Sequence, residues 1–190
     1  MTRYNCLRAV VLTLGVGALT GCMPKYTIEQ LKEMMPERPI ELDKLAMFLG
    51  EWEGTSETTL CVLDEPLSGT GSRTMEWTLD KRYLVEHGDY DMGELGKMKG
   101  VGLWTYDPKA KKYRIWWFDS QGGTARGTAT FCDETKTWKM KVKGRNPWGK
   151  SKGKGTVTFV DDDTIEWEWS EWDGSGLFKT AETTGTSKRK

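Results

Sequence analysis

Gly144-Arg145-Asn146-Pro147-Trp148-Gly149-Lys150-Ser151 fits G-x-x-x-x-G-K-[ST], a spacing that lets backbone amides and a lysine cradle a nucleotide's phosphates. That chemistry needs a helix directly after the loop, whose N-terminus holds the anion. Here Lys152-Gly153-Lys154-Gly155 follows, then the alternating Thr156, Val157, Thr158 and Phe159, so the stretch reads as a glycine-rich hairpin and phosphate binding is rejected. Glu166 and Glu168 alternate with Trp167 and Trp169, which puts two carboxylates about 7 Å apart on one strand face, near the separation used in glycoside hydrolysis. Neighbouring glutamates on one strand face are usually solvated, so hydrolysis stands as a third reading only. His87 is the single histidine and has no His/Cys cluster around it in sequence, which argues against zinc. Asp161-Asp162-Asp163 lacks the glycine and glutamate of a calcium loop and falls where a hairpin turn is needed. No G-x-S-x-G nucleophile elbow occurs. No catalytic residue, metal ligand or cofactor is assigned.

The elements that must position these residues are short strands. The candidates are 51–61, 70–79, 82–90, 97–106, 111–119, 124–132, 136–143, 152–160, 163–172 and 177–186, separated by turn chemistry such as Asp107-Pro108, Asp133-Glu134-Thr135 and Asp161-Asp162. Ten strands in regular succession without intervening helices predict an antiparallel meander, and a sheet this long closes to remove its edges. The fold class is therefore all-β: an up-and-down antiparallel barrel of about ten strands. Met75, Trp77 and Leu79 share a face by alternation, as do Trp138, Met140 and Val142, and Ile165, Trp167 and Trp169. Tyr113, Ile115 and Trp117 oppose Trp116 and Phe118, so the fifth strand is apolar on both sides and one face should be covered.

Two helical signals precede the strands. Thr27 and Gln30 form a capping pair before Ile28, Leu31, Met34 and Met35, and Pro36 and Pro39 end that helix. Leu42, Leu45, Phe48 and Leu49 form a second apolar turn, a plug, stopped by Gly50. The resulting organisation is a leader over 1–21, a tether with a short helix over 22–41 and the barrel over 42–190.

Residues 1–21 hold Arg3 and Arg8 and no acid, so 26 basic and 28 acidic residues remain, a net charge of about −2 that implies no nucleic-acid partner. Lys141, Lys143, Arg145, Lys150, Lys152 and Lys154 nevertheless cluster, either as a solvated hairpin that resists edge pairing or as a contact for anionic lipid headgroups. Ten tryptophans are many for 190 residues. Met75, Trp77, Trp104, Trp117, Trp138, Trp167 and Trp169 are the candidate lining of the barrel, although each would also serve as core.

Arg3 and Arg8, the apolar run Ala9–Leu19 and then Leu19-Thr20-Gly21-Cys22 resemble a bacterial lipoprotein signal peptide. The resemblance implies cleavage before Cys22, acylation of that cysteine, palmitate among its acyl chains, and a protein held at the cell envelope through its lipid anchor. In a Gram-negative cell Met23 implies the outer membrane. With Cys6 removed and Cys22 acylated, Cys61 and Cys132 remain, at the ends of strands one and six on opposite sides of the barrel, and they are expected not to pair.

Leu49-Gly50-Glu51-Trp52-Glu53-Gly54 resembles the G-x-W opening of lipocalin-like, or calycin, barrels. Together with Arg82-Tyr83-Leu84-Val85, Gly102-Leu103-Trp104-Thr105-Tyr106-Asp107, Tyr113 and Trp117-Phe118-Asp119-Ser120 it resembles the bacterial family catalogued as domain of unknown function 1579, from about Leu42 to Lys190. That resemblance implies a lipocalin-like barrel and brings no activity and no catalytic residues. Haem-binding relatives of the calycin type use a histidine near the last strand; residues 177–190 have none. The basic residue that packs over the first-strand tryptophan in lipocalins is assigned to no position. Three functions remain: an envelope lipoprotein binding a small apolar or amphiphilic ligand, a non-catalytic structural or interaction lipoprotein with a filled barrel, and the hydrolase. Oligomeric state is not read from the chain.

Overall fold

The computed structural model describes residues 25–190; the signal segment and Cys22 lie outside them. Two compact units divide at Glu37 and Arg38. In the first, α1 (Ile28–Glu33) has the expected capping box: the Gln30 amide donates to the Thr27 hydroxyl at 3.2 Å and the Thr27 amide donates to Gln30 Oε1 at 2.9 Å. It buries no residue.

The second unit opens with the plug, a 3₁₀ helix over Ile40–Phe48. Its apolar residues, Leu42, Leu45 and Phe48, recur every third position. A 3₁₀ helix has three residues per turn, so they align on one side, and all three are buried.

Ten strands follow: β1 (Gly50–Leu60), β2 (Leu67–Thr78), β3 (Tyr83–Asp91), β4 (Lys97–Asp107), β5 (Lys112–Asp119), β6 (Thr124–Cys132), β7 (Thr137–Asn146), β8 (Gly149–Phe159), β9 (Thr164–Asp173) and β10 (Lys179–Arg189). Each pairs antiparallel with its sequence neighbours, and β1 pairs with β10 to close the barrel. The strand spans expected from sequence differ mainly at the turns. β7 and β8 run on to Asn146 and Gly149, so the G-x-x-x-x-G-K-S stretch is a tight hairpin around Pro147-Trp148 with no helix after it. Leu79 is a correction: it does not share a face with Met75 and Trp77, because β2 ends at Thr78 and Leu79, Asp80 and Lys81 turn through positive φ, leaving Leu79 exposed.

Alternation assigns the inner face. Plug-end residues Leu42, Leu45, Phe48, Trp52, Met75, Leu84, Trp104, Tyr113, Ile115, Ala129, Trp138, Val157, Phe159 and Ile165 form one buried cluster. The plug thus covers the inner face of β5, and the Tyr113 hydroxyl donates to Glu41 O at 2.8 Å; burial pushes that phenol up to about 12. The outer residues Trp116 and Phe118 stay half-buried and exposed.

Arg189 on β10 is the basic residue the sequence left unassigned. Its guanidinium lies 4.3 Å from the Trp52 ring, donates to Met47 O at 3.0 Å and to Leu49 O, and pairs with Asp163 at 3.0 Å. Trp52 Nε1 in turn donates to Phe48 O at 2.8 Å. Closure, plug and core all fall within residues 38–190.

Candidate functional site

The barrel has two unlike ends. At one, the plug and the turns 79–82, 108–111, 133–136 and 160–163 enclose the apolar cluster. At the other, the mouth, are the turns 61–66, 92–96, 120–123, 147–148 and 174–178. Most inward residues of the plug half are buried, whereas many of those in the mouth half, including Ser56, Tyr90, Met98, Trp117, Val142, Ser151 and Trp169, keep partial exposure. Because their side chains point to the axis, water reaches them through the mouth.

All seven candidate lining residues face inward, but they divide. Met75, Trp104 and Trp138 are core, and Trp77 packs at its edge under the Arg38 guanidinium, 5.2 Å from the ring. Trp117 and Trp169 lie in the mouth half, and Trp167, opposite Val157, packs partly buried against the edge of the core. These three rings rest against glycine. A Cβ at Gly100 would stand 2.1 Å from the Trp117 ring, one at Gly153 or Gly155 2.2 or 2.4 Å from the Trp169 ring, and one at Gly185 2.4 Å from the Trp167 ring. Any side chain at those positions would push the rings toward the axis. The glycines therefore let large aromatics lie flat against the inner wall of the barrel.

Between the two halves lies a polar group that alternation-based reading missed. Glu86 is 5% exposed. Its Oε2 accepts from Trp104 Nε1 at 3.3 Å and its Oε1 from the Tyr90 hydroxyl at 3.4 Å, with Arg73 Nη1 at 3.6 Å. Burial first, and the Glu86 charge second, raise the Tyr90 phenol far above its ordinary value, so it stays a neutral donor. Arg73 Nε and Nη2 are buried without a hydrogen-bond partner. These two nitrogens form the side-on edge of the guanidinium, the edge that receives a carboxylate with two parallel bonds. A signal did exist: Arg73 falls in the inward series with Gly71, Met75 and Trp77, and Glu86 in that with Leu84 and Gly88.

The remaining sequence candidates lie apart from this interior. His87 points outward from β3 and is exposed. Glu166 and Glu168 are also outward and exposed, in a shallow surface concavity of about 800 Å³ lined by threonines of β8, β10 and β1; an open polar groove gives neither carboxyl the desolvated setting an acid catalyst needs, which removes the hydrolase reading. Asp161 accepts from the Asp163 amide at 2.8 Å and Asp163 holds Arg189, so the acidic triplet serves the turn. Among the described residues no group of three or more His, Cys, Asp or Glu is placed to hold a metal ion. Cys61 stands at the mouth and Cys132 at the plug end, both as free thiols; hydrogen bonds from Thr135 lower the Cys132 thiol.

The fold recurs in solved structures. The Mycobacterium tuberculosis protein Rv2717c superposes with a TM-score of 0.63 at 13% identity, covering 81% of this chain and 99% of that one. The S-type phycobiliprotein lyase CPES from Guillardia theta superposes with a TM-score of 0.56 at 10% identity, covering 87% and 98%. At these identities the likeness is one of fold. No functionally curated protein is similar in sequence to this chain. Residues 40–188 match the protein family of unknown function DUF1579, and the chain belongs to that family.

Proposed function

We propose that this protein binds one small apolar or amphiphilic molecule in the mouth half of its barrel. The observation that carries this reading is the set of aromatic rings laid flat on glycine. A barrel built only for rigidity gains from filling its axis, whereas Gly100, Gly153, Gly155 and Gly185 forgo packing to keep rings on the wall. The polar group at Arg73 and Glu86 then marks the inner limit of the space, which suits a molecule with an apolar body and a polar end. In this reading Cys22 carries lipid and holds the barrel at an envelope membrane, the outer one in a Gram-negative cell; palmitate labelling that Cys22→Ser abolishes is the expected result.

Titration of residues 38–190 with dodecanoate, dodecanol and a hydrophobic dye, followed by tryptophan emission, should saturate at one molecule per barrel. Gly155→Ala lifts the Trp169 ring and weakens binding by about tenfold, equivalent to about 1.4 kcal/mol. No spectral change with any probe, together with protein from native envelopes that carries nothing by mass spectrometry, overturns the proposal. A second reading, an interaction protein without a ligand, draws on the outer face, where Val101 and Phe118 stand directly opposite each other on β4 and β5, both exposed. Its sign would be a partner protein lost on Phe118→Ser.

A further inference from the structure

The β7–β8 hairpin carries a ladder of like charge. Lys141 faces Lys154, Lys143 faces Lys152, and Arg145 faces Lys150, all on the outer surface, with Arg126 of β6 beside Lys143. No acid is interleaved among the outward residues of β6, β7 and β8. Among the described residues none of these cations forms an ion pair with a carboxylate. Like charges directly opposite on a sheet disfavour folding, so the ladder serves the barrel's own stability poorly.

The ladder ends at an apolar knuckle. Trp148, at the tip of the same hairpin, is 85% exposed, and Leu177 and Phe178, on the neighbouring β9–β10 turn, are 79% and 71% exposed. The two tips are joined, since Lys152 Nζ donates to Ser175 O at 2.6 Å. Both are held in place. The Trp148 amide donates to Asn146 Oδ1 at 3.0 Å, and the Asp173 carboxylate accepts from the amides of Gly176, Leu177 and Phe178 at 3.0 to 3.1 Å. Trp172 lies behind them on the outer face, with Lys154 Nζ 5.2 Å and Lys179 Nζ 5.8 Å from its ring. Of the other mouth loops, 92–96 lies across the mouth and carries Glu94, while 61–66 adjoins the β9–β10 turn through the β1–β10 pairing and carries Asp64 and Glu65.

We infer that this corner of the mouth docks on an anionic phospholipid bilayer, with Trp148, Leu177 and Phe178 entering the interface and the ladder meeting the headgroups. A basic stripe leading to exposed tryptophan, phenylalanine and leucine has both attractions that interfacial binding combines. Nucleic acid would use the cations but leave Leu177 uncovered. Reach sets which charges act. Successive rungs lie about 7 Å apart along the strands, and screening falls off over about 8 Å at physiological salt, so the Arg145–Lys150 and Lys143–Lys152 rungs dominate. Glu94 across the mouth, and Asp64 and Glu65 on the far side of the β9–β10 turn, tilt the barrel so that the basic β7–β8 tip leads. The opening then lies against the bilayer surface, from which an apolar molecule would enter.

The test uses residues 38–190, which exclude Cys22, and sedimentation with vesicles of phosphatidylcholine with or without phosphatidylglycerol. Binding is expected only with phosphatidylglycerol, and it should weaken as salt rises. Lys143→Gln with Lys152→Gln should weaken it by about 25-fold, about fivefold for each cation near the surface. Brominated acyl chains should quench tryptophan emission in the wild type and much less in Trp148→Phe. Equal binding to both vesicles overturns the inference. So does vesicle binding that ignores Trp148→Ser with Phe178→Ser while heparin binds as tightly, since the face would then recognise polyanions rather than a bilayer.

Discussion

Glu86→Gln should cost about 3 kcal/mol, and Arg73→Met clearly less. Glu86 is buried, Arg73 is half-buried, and they share one ion pair, so a simple account of the pair would make the two substitutions equivalent. The geometry makes them unequal. At 3.6 Å the attraction is about 4–5 kcal/mol for an effective dielectric of about 20. Removing one partner of a buried pair typically costs about 3–5 kcal/mol, because the other charge is left uncompensated. Glutamine nearly conserves volume and keeps an acceptor for Tyr90 or Trp104, but leaves a guanidinium whose Nε and Nη2 already lack partners. Methionine removes those two nitrogens along with the charge, and leaves Glu86 two remaining donors, Tyr90 and Trp104. We expect about 1–2 kcal/mol for Arg73→Met, and for the double variant less than the sum of the singles. For a domain of this size 1 kcal/mol moves Tm by about 2–4 °C, so Glu86→Gln should melt about 6–12 °C below the wild type at neutral pH. Urea titration gives the free energies and circular dichroism the melting points. Arg73→Met as harmful as Glu86→Gln, or a Glu86→Gln change under about 1 kcal/mol, refutes the reasoning.

Two further outcomes follow from single residues. Arg189→Ala removes the cation over Trp52 together with the donors to Met47 O and Leu49 O, and should lower stability by about 2–3 kcal/mol by urea titration; Arg189→Lys should recover less than half, because an ammonium cannot stack and donate in several directions at once. The Ser175 hydroxyl foremost, and then the backbone amides of the turn, hold the Asp173 carboxyl at about 2. Its folded value is depressed, so its contribution to the β9–β10 turn is complete above the ordinary carboxyl range near pH 4 and is lost as pH falls through about 2. Amide resonances of Leu177 and Phe178 should report that transition, and Asp173→Asn should remove it.

Strand number, order and facing were legible because alternation is a strong signal where one face is buried, as in Trp138-Met140-Val142 and Ile165-Trp167-Trp169. Leu79 misled because an apolar residue continued the alternation while the chain had already turned through positive φ. That these tryptophans share the inner face was legible, but not their division into two groups. What separates Trp117 and Trp169 from Trp104 and Trp138 is the plug on one side and cross-strand glycines on the other, and those contacts, such as the Trp117 ring over Gly100, diagonal to its partner Gly102, are set by register. Arg73 and Glu86 were passed over because a charge on a strand is ordinarily outward; their inward placement shows only when each is counted against Met75 and Leu84 on its own strand. Arg189 lies too far along the chain from Trp52 for local pattern to join them.

That last separation has a consequence for when the barrel can exist. The contact between Arg189 and Leu49 joins residues 140 positions apart, and the β1–β10 pairing that closes the sheet spans nearly the same distance. A chain emerging from the ribosome holds its plug, Trp52 and nine consecutive hairpin-linked strands before the residue that locks them together has been made. Up to that moment β1 has a bare edge and Trp52 lacks its cation, so the nascent chain stays open and threadable until β10 is synthesised, and closure comes as a single late event.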